Sequence, residues 1–214
     1  MKEDALINLL AAGVIAGLFL ILRNHFLSDT QVKRKVRNHK KVSIADFVNG
    51  TVGKITGKAF PSGVSVVSPV SGIRCLYYRI TVTESYSKQE IIHLKKKSQD
   101  YFVIQDQTGL ALIRIKNAEE VYSGEVDYYA GFNTIPPANP AQFLADNYIV
   151  SKRGFEGNKD LVIREFLLKE GHYIEVVGKG EWVETSTLGL NLPVSRVLVV
   201  TNEPGASILI TNTL

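Results

Sequence analysis

The pattern of apolar residues divides the chain into one uniform N-terminal run and a long stretch of short alternations. Residues 5–22 read ALINLLAAGVIAGLFLIL, 18 positions with no charged side chain and one polar one, Asn8. A helix of that length is about 27 Å long, close to the ~30 Å hydrocarbon thickness of a bilayer. A buried helix of a globular domain would carry polar residues at helical period. The run therefore predicts a transmembrane anchor within residues 1–27.

An uncleaved or atypical signal sequence is the main alternative for this run. A cleaved signal peptide would need a basic N-terminal region and a small-residue cleavage site. Here Lys2 is followed by Glu3 and Asp4, and the run ends without an A-x-A pattern. The spacing of Gly13 and Gly17 is a small-xxx-small pattern, which permits close helix packing and a homodimer through the anchor.

The charges that flank the run predict its orientation. Between residues 23 and 41 lie seven Lys or Arg and one acid, Asp29, whereas the segment before the run carries only Lys2 as a base. The positive-inside rule places the C-terminal part in the cytoplasm. Residues 28–41 are thus predicted to be a basic juxtamembrane linker.

The charge of the remaining chain argues against nucleic acid as a partner. The formal net charge is +4, but residues 42–214 hold 17 basic and 18 acidic side chains, so the excess belongs to the juxtamembrane stretch. A basic stretch beside a membrane attracts anionic headgroups. Cys75 is the only cysteine, which excludes an intrachain disulfide and a cysteine-based zinc site.

Residues after 42 read as β-strands. From residue 75 the chain alternates with period two, as expected of a half-buried strand. One face would hold Leu76, Tyr78, Ile80 and Val82, and the other Cys75, Tyr77, Arg79, Thr81 and Thr83. Two weaker strands, broken by glycines, are predicted at 48–55 and 63–67.

Three hairpins are predicted further along the chain. Strands 101–104 and 110–115 flank a turn that ends at Gly109, strands 161–168 and 172–177 flank Gly171, and strands 197–201 and 206–211 flank Gly205. Residues 140–148 are predicted to be helical. Many short strands joined by tight turns favour a mainly antiparallel, β-rich domain, barrel-like or sandwich-like, behind an N-terminal transmembrane helix.

Candidate catalytic and metal-binding groups are sparse. The four histidines show no ligand spacing, and Ser85-x-x-Lys88 falls at a strand end without a partner motif. Gly178-Lys179-Gly180 is interpreted as a turn or bulge after a strand, and Trp182 as a packing residue at a barrel end. We expect no catalytic residue, no metal and no cofactor. Cys75 is interpreted as a small apolar strand residue.

Two stretches resemble a known family. They are SPVSGIRCLYYR at 68–79 and EFLLKEGHYIEVVG at 165–178, with a D-x-x-G turn at Asp106–Gly109 between them. Both are similar to the GIDE domain, also called the BAM ("beside a membrane") domain, which occurs in mitochondrial and plastid membrane-anchored RING-type E3 ubiquitin ligases. The order of parts is also similar, and the resemblance covers residues 42–214. It assigns a structural or partner-binding role to Pro69, Gly72, Cys75, Tyr77, Tyr78, Arg79, Glu84, Asp106, Gly109, Glu165, Gly171 and Gly178.

The chain departs from those ligases in one respect. A RING finger needs about eight Cys or His ligands for two zinc ions, and one cysteine cannot supply them. The ligases also carry a second membrane span, for which this sequence offers no second apolar run. The resemblance therefore implies the partner-recognition part of such proteins without the transferase.

Together these observations predict a single-pass membrane protein whose cytoplasmic domain binds a partner protein at the bilayer. Two alternatives from other classes stay open. One is a membrane-associated hydrolase whose site has no recognisable motif, and the other is a module that binds anionic lipid.

Overall fold

The structure, a computed structural model, describes residues 31–63, 65–86, 89–116, 118–130, 137–150, 159–203 and 205–212. The predicted anchor, residues 1–27, lies outside these ranges. No helix within them is long and apolar enough to cross a membrane. The described part is rich in β-structure, as the alternation predicts.

The elements follow one another in chain order. Residues 31–38 form helix α1. The strands and the second helix are β1 (Val52–Phe60), β2 (Val66–Val67), β3 (Arg74–Cys75), β4 (Tyr77–Tyr86), β5 (Gln89–Lys97), β6 (Tyr101–Gln105), β7 (Leu110–Arg114), β8 (Glu119–Val121), β9 (Val126–Ala130), α2 (Ala138–Asp146), β10 (Leu161–Leu168), β11 (Tyr173–Glu184), β12 (Arg196–Thr201) and β13 (Leu209–Asn212), with a 3₁₀ helix at Thr185–Leu188.

Five strands close into a barrel in the order β1-β6-β7-β12-β11 and back to β1. Numbered along the barrel alone, the order is first, second, third, fifth, fourth, and the third and fifth strands pair in parallel. This is the strand order of the OB-fold, a five-stranded Greek-key barrel. β13 and β8 extend the sheet beyond β11.

The first barrel strand changes partner at a glycine. Residues 52–58 pair with β11, and residues 58–60 pair with β6. A Cβ on Gly57 would lie 2.8 Å from the carbonyl oxygen of Gln105. Only glycine lets the two backbones come this close, so Gly57 permits the bend that closes the barrel.

A second sheet of four strands, in the order β5-β4-β10-β9, is built from two insertions into the barrel. β4 and β5 lie between the first two barrel strands, and β9 and β10 lie between the third and fourth. One end of this sheet enters the barrel: Tyr77, Phe166 and Leu168 belong to the same buried cluster as the inward residues of the barrel strands. The far part packs one face against Phe143 and Leu144 of α2.

The segment that follows α1 closes one end of the barrel. Ile44 is fully buried and Phe47 is 4% exposed, both in the barrel core. The Phe47 ring fits only because Gly53 and Gly180 lack side chains, since a Cβ on either residue would overlap it. Trp182 donates from Nε1 to the carbonyl of Phe47 at 3.1 Å. The prediction that Trp182 packs at a barrel end is thus confirmed.

Two of the three predicted hairpins are wrong in their pairing. β6 and β7 form the first one as expected. β10 and β11 belong to different sheets, so the turn at Gly171 carries the chain from one sheet to the other. β12 and β13 both pair with β11 and lie end to end along it. Local turn residues predict a chain reversal but not which strand becomes the neighbour.

Two further expectations change for steric reasons. Gly178 and Gly180 lie inside β11, not in a turn after it. A Cβ on Gly178 would lie 2.7 Å from Cγ1 of Val200, at the point where the neighbour of β11 changes from β12 to β13. The alternation predicted from residue 75 holds only from β4 onward, because Cys75 lies on β3 with the second sheet's core and Leu76 lies in the barrel core.

Replacing Phe47 by Ala should destabilise the fold by about 3–5 kcal/mol, because it leaves a cavity in the barrel core. Gly180→Ala should destabilise the fold as well, because its methyl overlaps the Phe47 ring. In the double variant that methyl enters the space the ring leaves, so the loss of unfolding free energy should be smaller than the sum of the two single losses. Thermal or denaturant unfolding of the full chain in detergent measures this, and strict additivity would contradict the contact.

Candidate binding face

The two family-like stretches, 68–79 and 165–178, meet at a buried carboxylate. Glu165, 1% exposed, accepts hydrogen bonds from the hydroxyls of Ser68 and Ser71 and, at 3.4 Å, from the hydroxyl of Tyr128. The Ser71 N–H also donates to it at 3.3 Å. A buried carboxylate is costly unless its lone pairs are satisfied. Glu165 therefore fixes the Ser68–Gly72 loop to β10.

The remaining motif glycines and Asp106 also have structural roles. Asp106 accepts from the N–H groups of Ile44 at 2.8 Å and Gly109 at 3.0 Å, so the D-x-x-G turn holds the segment that closes the barrel. Burial raises the pKa of Asp106, but these hydrogen bonds and those of Thr108 outweigh it and lower the pKa overall. Gly72 and Gly171 have φ of +72° and +80°, where a side chain would be strained.

Cys75 lies beside this cluster with its thiol shielded. It is 4% exposed. Burial, and then the charge of Glu165, raises the pKa of the thiol to about 11. A nucleophilic cysteine needs a lowered pKa and access to solvent. The chemistry of Cys75 is therefore that of a packing residue, which agrees with the sequence interpretation.

A second buried carboxylate, Glu120, links the barrel to the four-stranded sheet. It accepts from the Tyr77 hydroxyl at 2.9 Å and forms ion pairs with Lys97 and with Arg79, the latter at 3.8 Å. Arg79 also pairs with Glu125. Burial lowers the pKa of Arg79, but Glu125 and Glu120 outweigh it and raise the pKa overall. The motif residues Tyr77 and Arg79 thus join this network.

Arg164 carries the charge network further along the sheet. It donates to both oxygens of Asp127, at 2.9 and 3.2 Å, and lies 3.7 Å from Glu125. The Arg79 guanidinium lies over the Tyr122 ring, 4.9 Å from its centroid, and that ring stacks on Phe166. These contacts fix both guanidinium groups on one face of the sheet.

A β-bulge brings Glu84 and His93 together. The β4–β5 register shifts between Val82 and Thr83, which leaves His93 as the extra residue. Its Nε2 lies 2.7 Å from Glu84, and the Lys159 ammonium lies 3.5 Å from the same carboxylate. Bulges re-aim single side chains in this way. Glu84 is therefore a buried, ion-paired residue of β4.

The face of the four-stranded sheet turned away from α2 is open beyond the charge network. Side chains in register share a face, and two rows cross all four strands here. The first row is Lys95, Thr81, Arg164 and Asp127, and the second is Ile92, Thr83, Val162 and Tyr129. Ile92 is 52% exposed and Tyr129 is 56% exposed. We call these two rows the open face.

A cavity of about 560 Å³ lies at the barrel end of the open face. It is lined by Thr81, Thr83, Ile92 and charged residues of the sheet, with β8 and α1 on the opposite side. α1 is held there by Val32 and Val36, which pack against Val121, Val177 and Leu209. Gln31, the first described residue, is part of the lining. The chain segment that leads from the predicted anchor therefore reaches the domain at this cavity.

The surface that OB-fold barrels commonly use for ligands is covered by the chain itself. That surface is the outer face of the second and third barrel strands, here β6 and β7. Val103, Leu110 and Leu112 point outward from them and are buried under the loop at 185–195, chiefly by Leu192. On the open face of the other sheet, by contrast, Ile92 and Tyr129 are more than half exposed.

The chain matches no family model, no curated protein and no solved structure. Among the described residues, no group of three or more His, Cys, Asp or Glu is arranged to hold a metal ion.

The sequence motifs indicate the residues that stabilise the four-stranded sheet better than those that form its open face. Tyr77 and Arg79 were identified through the motif, whereas Glu120, Arg164, Ile92 and Tyr129 were not. The available signal was period two: Arg79 and Thr81 fall on the polar face of β4, a strand that is predicted to be half-buried. Which other strands share it depends on sheet order, which local sequence does not encode.

We expect native Cys75 to react with a small thiol reagent at pH 8 at least about 100-fold more slowly than in the denatured chain. A thiol of pKa about 11 holds little thiolate at that pH, whereas a free cysteine of pKa ~8.5 is about one quarter ionised. The rate should rise with pH up to the raised pKa. Mass spectrometry of the alkylated full chain measures it, and equal rates in both states would show an accessible, reactive thiol.

Proposed function

We propose that the chain is a single-pass membrane protein whose β-rich domain binds a partner protein beside the cytoplasmic face of the membrane. The anchor is the 18-residue apolar run at 5–22, and the basic linker sets the orientation. The partner surface is the open face. The ligases whose GIDE domain the sequence resembles carry a transferase in addition, and the proposal concerns the binding part alone.

The observation that carries the proposal is the make-up of the open face. Exposed Ile92 and Tyr129 lie in one row beside the ion-paired Arg164. Protein interfaces are enriched in aromatic residues and arginine, with an apolar centre and a polar rim. Tyr and Arg are also among the residues that most often carry binding energy. Arg164 is held by two hydrogen bonds to Asp127, so it loses little freedom on binding.

The position of α1 supports a location close to the bilayer. Eight residues, 23–30, separate Leu22, at the end of the apolar run, from Gln31, which lines the cavity at the open face. Fully extended, they span roughly 30 Å. The linker is basic and would keep the domain close to anionic headgroups. The open face therefore lies within reach of the membrane-proximal parts of other membrane proteins.

The charges at the open face favour a protein over an anionic lipid. Arg164 of the open face, and Arg79 and Lys97 in the adjoining charge network, each already contact a carboxylate, which leaves Lys95 as the other cation of the face. A phosphate would have to compete with Glu120, Glu125 and Asp127 for the paired cations. A hydrolase that uses Cys75 as its nucleophile is disfavoured by the shielded thiol. The lipid alternative has its own outcome in the experiment below.

The experiment uses two portions of native membranes: one is washed with alkaline carbonate, and the tagged full chain is captured from the other, unwashed portion. The chain should remain in the washed membranes, and a deletion of residues 1–27 should release it. After mild solubilisation, Ile92→Ala/Tyr129→Ala should lower recovery of the partner by about tenfold or more, as truncation of two central contact residues does. Quantitative mass spectrometry of the captured proteins gives the readout.

Tyr173→Ala is the matched control, because Tyr173 is a tyrosine of similar exposure, 49%, on the barrel. It should leave recovery unchanged. Equal recovery with both variants would contradict the assignment of the open face. Release of the intact chain by carbonate would contradict the anchor. Lipid that co-purifies in place of protein would favour the lipid-binding alternative.

A further inference from the structure

The β5 edge of the four-stranded sheet is a nine-residue strand with one described neighbour. β5 pairs with β4 and, within the described residues, with no other strand. Most of its side chains are exposed, with Ile91 at 40% and Ile92 at 52%. An edge of this kind can add a strand from another chain through backbone hydrogen bonds.

The alternation of the ladder shows which backbone groups point outward from β5. The Ser98 N–H donates to the Tyr78 carbonyl, so the backbone groups of Ser98 and of every second residue before it point toward β4. The backbone groups of Lys95 and Lys97 therefore point outward. On the other side of the bulge the alternation is reset. The Ser85 N–H donates to the Asp160 carbonyl, so the backbone groups of Ser85 point away from β5. Its register partner on β5 is Glu90. The backbone groups of Glu90, and those of Ile92 two residues further on, therefore point outward.

The outward residues are complementary to a second copy of the same strand. If two β5 strands run antiparallel with outward residues paired, Glu90 lies opposite Lys97 of the other copy and Ile92 lies opposite Lys95. Lys95 is then also a diagonal neighbour of Glu90, within reach of a long side chain. Lysines on an edge discourage pairing with unrelated strands. Glu90, which also acts electrostatically on Arg164 of its own chain, supplies the matching acid.

The other edge of the same sheet lacks this property. β9 contains one acid, Asp127, and no basic residue. Two β9 strands therefore offer no opposite charges to each other. The charge pattern thus favours β5 as the self-pairing edge.

We propose that β5 is a homodimer interface, through which two copies of the chain form one continuous eight-stranded sheet. The two-fold axis of such a pair is perpendicular to the sheet. It keeps both open faces on the same side, and Gln31 lines the cavity on that side in each copy. Both anchors therefore leave toward one bilayer. This last step uses the membrane tether of the proposed function, but the strand pairing itself does not.

The test measures the dimer dissociation constant of the full chain in detergent by analytical ultracentrifugation. Glu90→Lys alone and Lys95→Glu alone should each raise the constant about tenfold, because each replaces attraction by repulsion at two symmetric sites. The double variant regains the diagonal attraction between residues 90 and 95 but keeps a lysine opposite Lys97, so its constant should lie below that of Glu90→Lys alone. Lys97 is left unchanged because it pairs with Glu120. Thermal unfolding verifies that each variant is folded.

Gly13→Leu/Gly17→Leu separates this interface from packing between anchors. The β5 interface predicts a dimer that survives this change and still responds to the charge exchange. Three results would overturn the proposal. The chain could be monomeric at all concentrations, the dimer dissociation constant could be unaffected by the changes at residues 90 and 95, or only the replacement of Gly13 and Gly17 could abolish the dimer. Assemblies that grow beyond the dimer would indicate head-to-tail pairing of β5 with β9 instead. Partner recovery in the capture experiment does not enter any of these outcomes.

Discussion

The barrel core is not filled by the barrel strands alone, and this constraint determines the rest of the architecture. Its five strands enclose a space that Tyr77, Phe166 and Leu168 enter from the second sheet and that Ile44 and Phe47 enter from the segment after α1. Each of these side chains is at most 4% exposed. Because a close-packed interior tolerates few voids, neither insertion can leave without opening a cavity in the barrel. The sheet and the barrel therefore form one structural unit.

The same constraint explains why the motif residues are mostly structural. Once the end of the second sheet is fixed in the barrel, the carboxylates around this junction are buried and must be satisfied. Glu120, on β8, accepts a hydrogen bond from the Tyr77 hydroxyl and pairs with Lys97 and Arg79, whereas Glu165 accepts hydrogen bonds from the hydroxyls of Ser68 and Ser71. Glu165 lies on the α2 side of the second sheet, and the Glu120 network covers only the barrel end of the opposite face. The rest of that face is left for binding. A rigid face loses little conformational entropy when a partner docks.

Sequence patterns predicted the helices, strands and turns whose own residues show a regular hydrophobic period. They failed where the pairing of a strand depends on segments distant in the chain. The alternation in β4, the β6–β7 hairpin and the helix at Ala138–Asp146 follow from local side-chain order and turn residues. The pairing of β10 and of β13 does not, because it depends on which hydrophobic rows the barrel must bury. The same holds for the site. Tyr77 and Arg79 were identified from the motif, whereas Ile92 and Tyr129 come together only through the sheet order β5-β4-β10-β9.

The central claim is that the open face, held beside the membrane, is where a partner protein binds. The most direct measurement places a photo-crosslinking amino acid at position 129 or position 92 of the full chain in native membranes. Positions 173 and 67, exposed on other surfaces, serve as references. If a partner protein binds the open face, one and the same protein should be crosslinked from positions 129 and 92 and not from the references. Crosslinks to a common protein only from the references, or equally from all four positions, would contradict it.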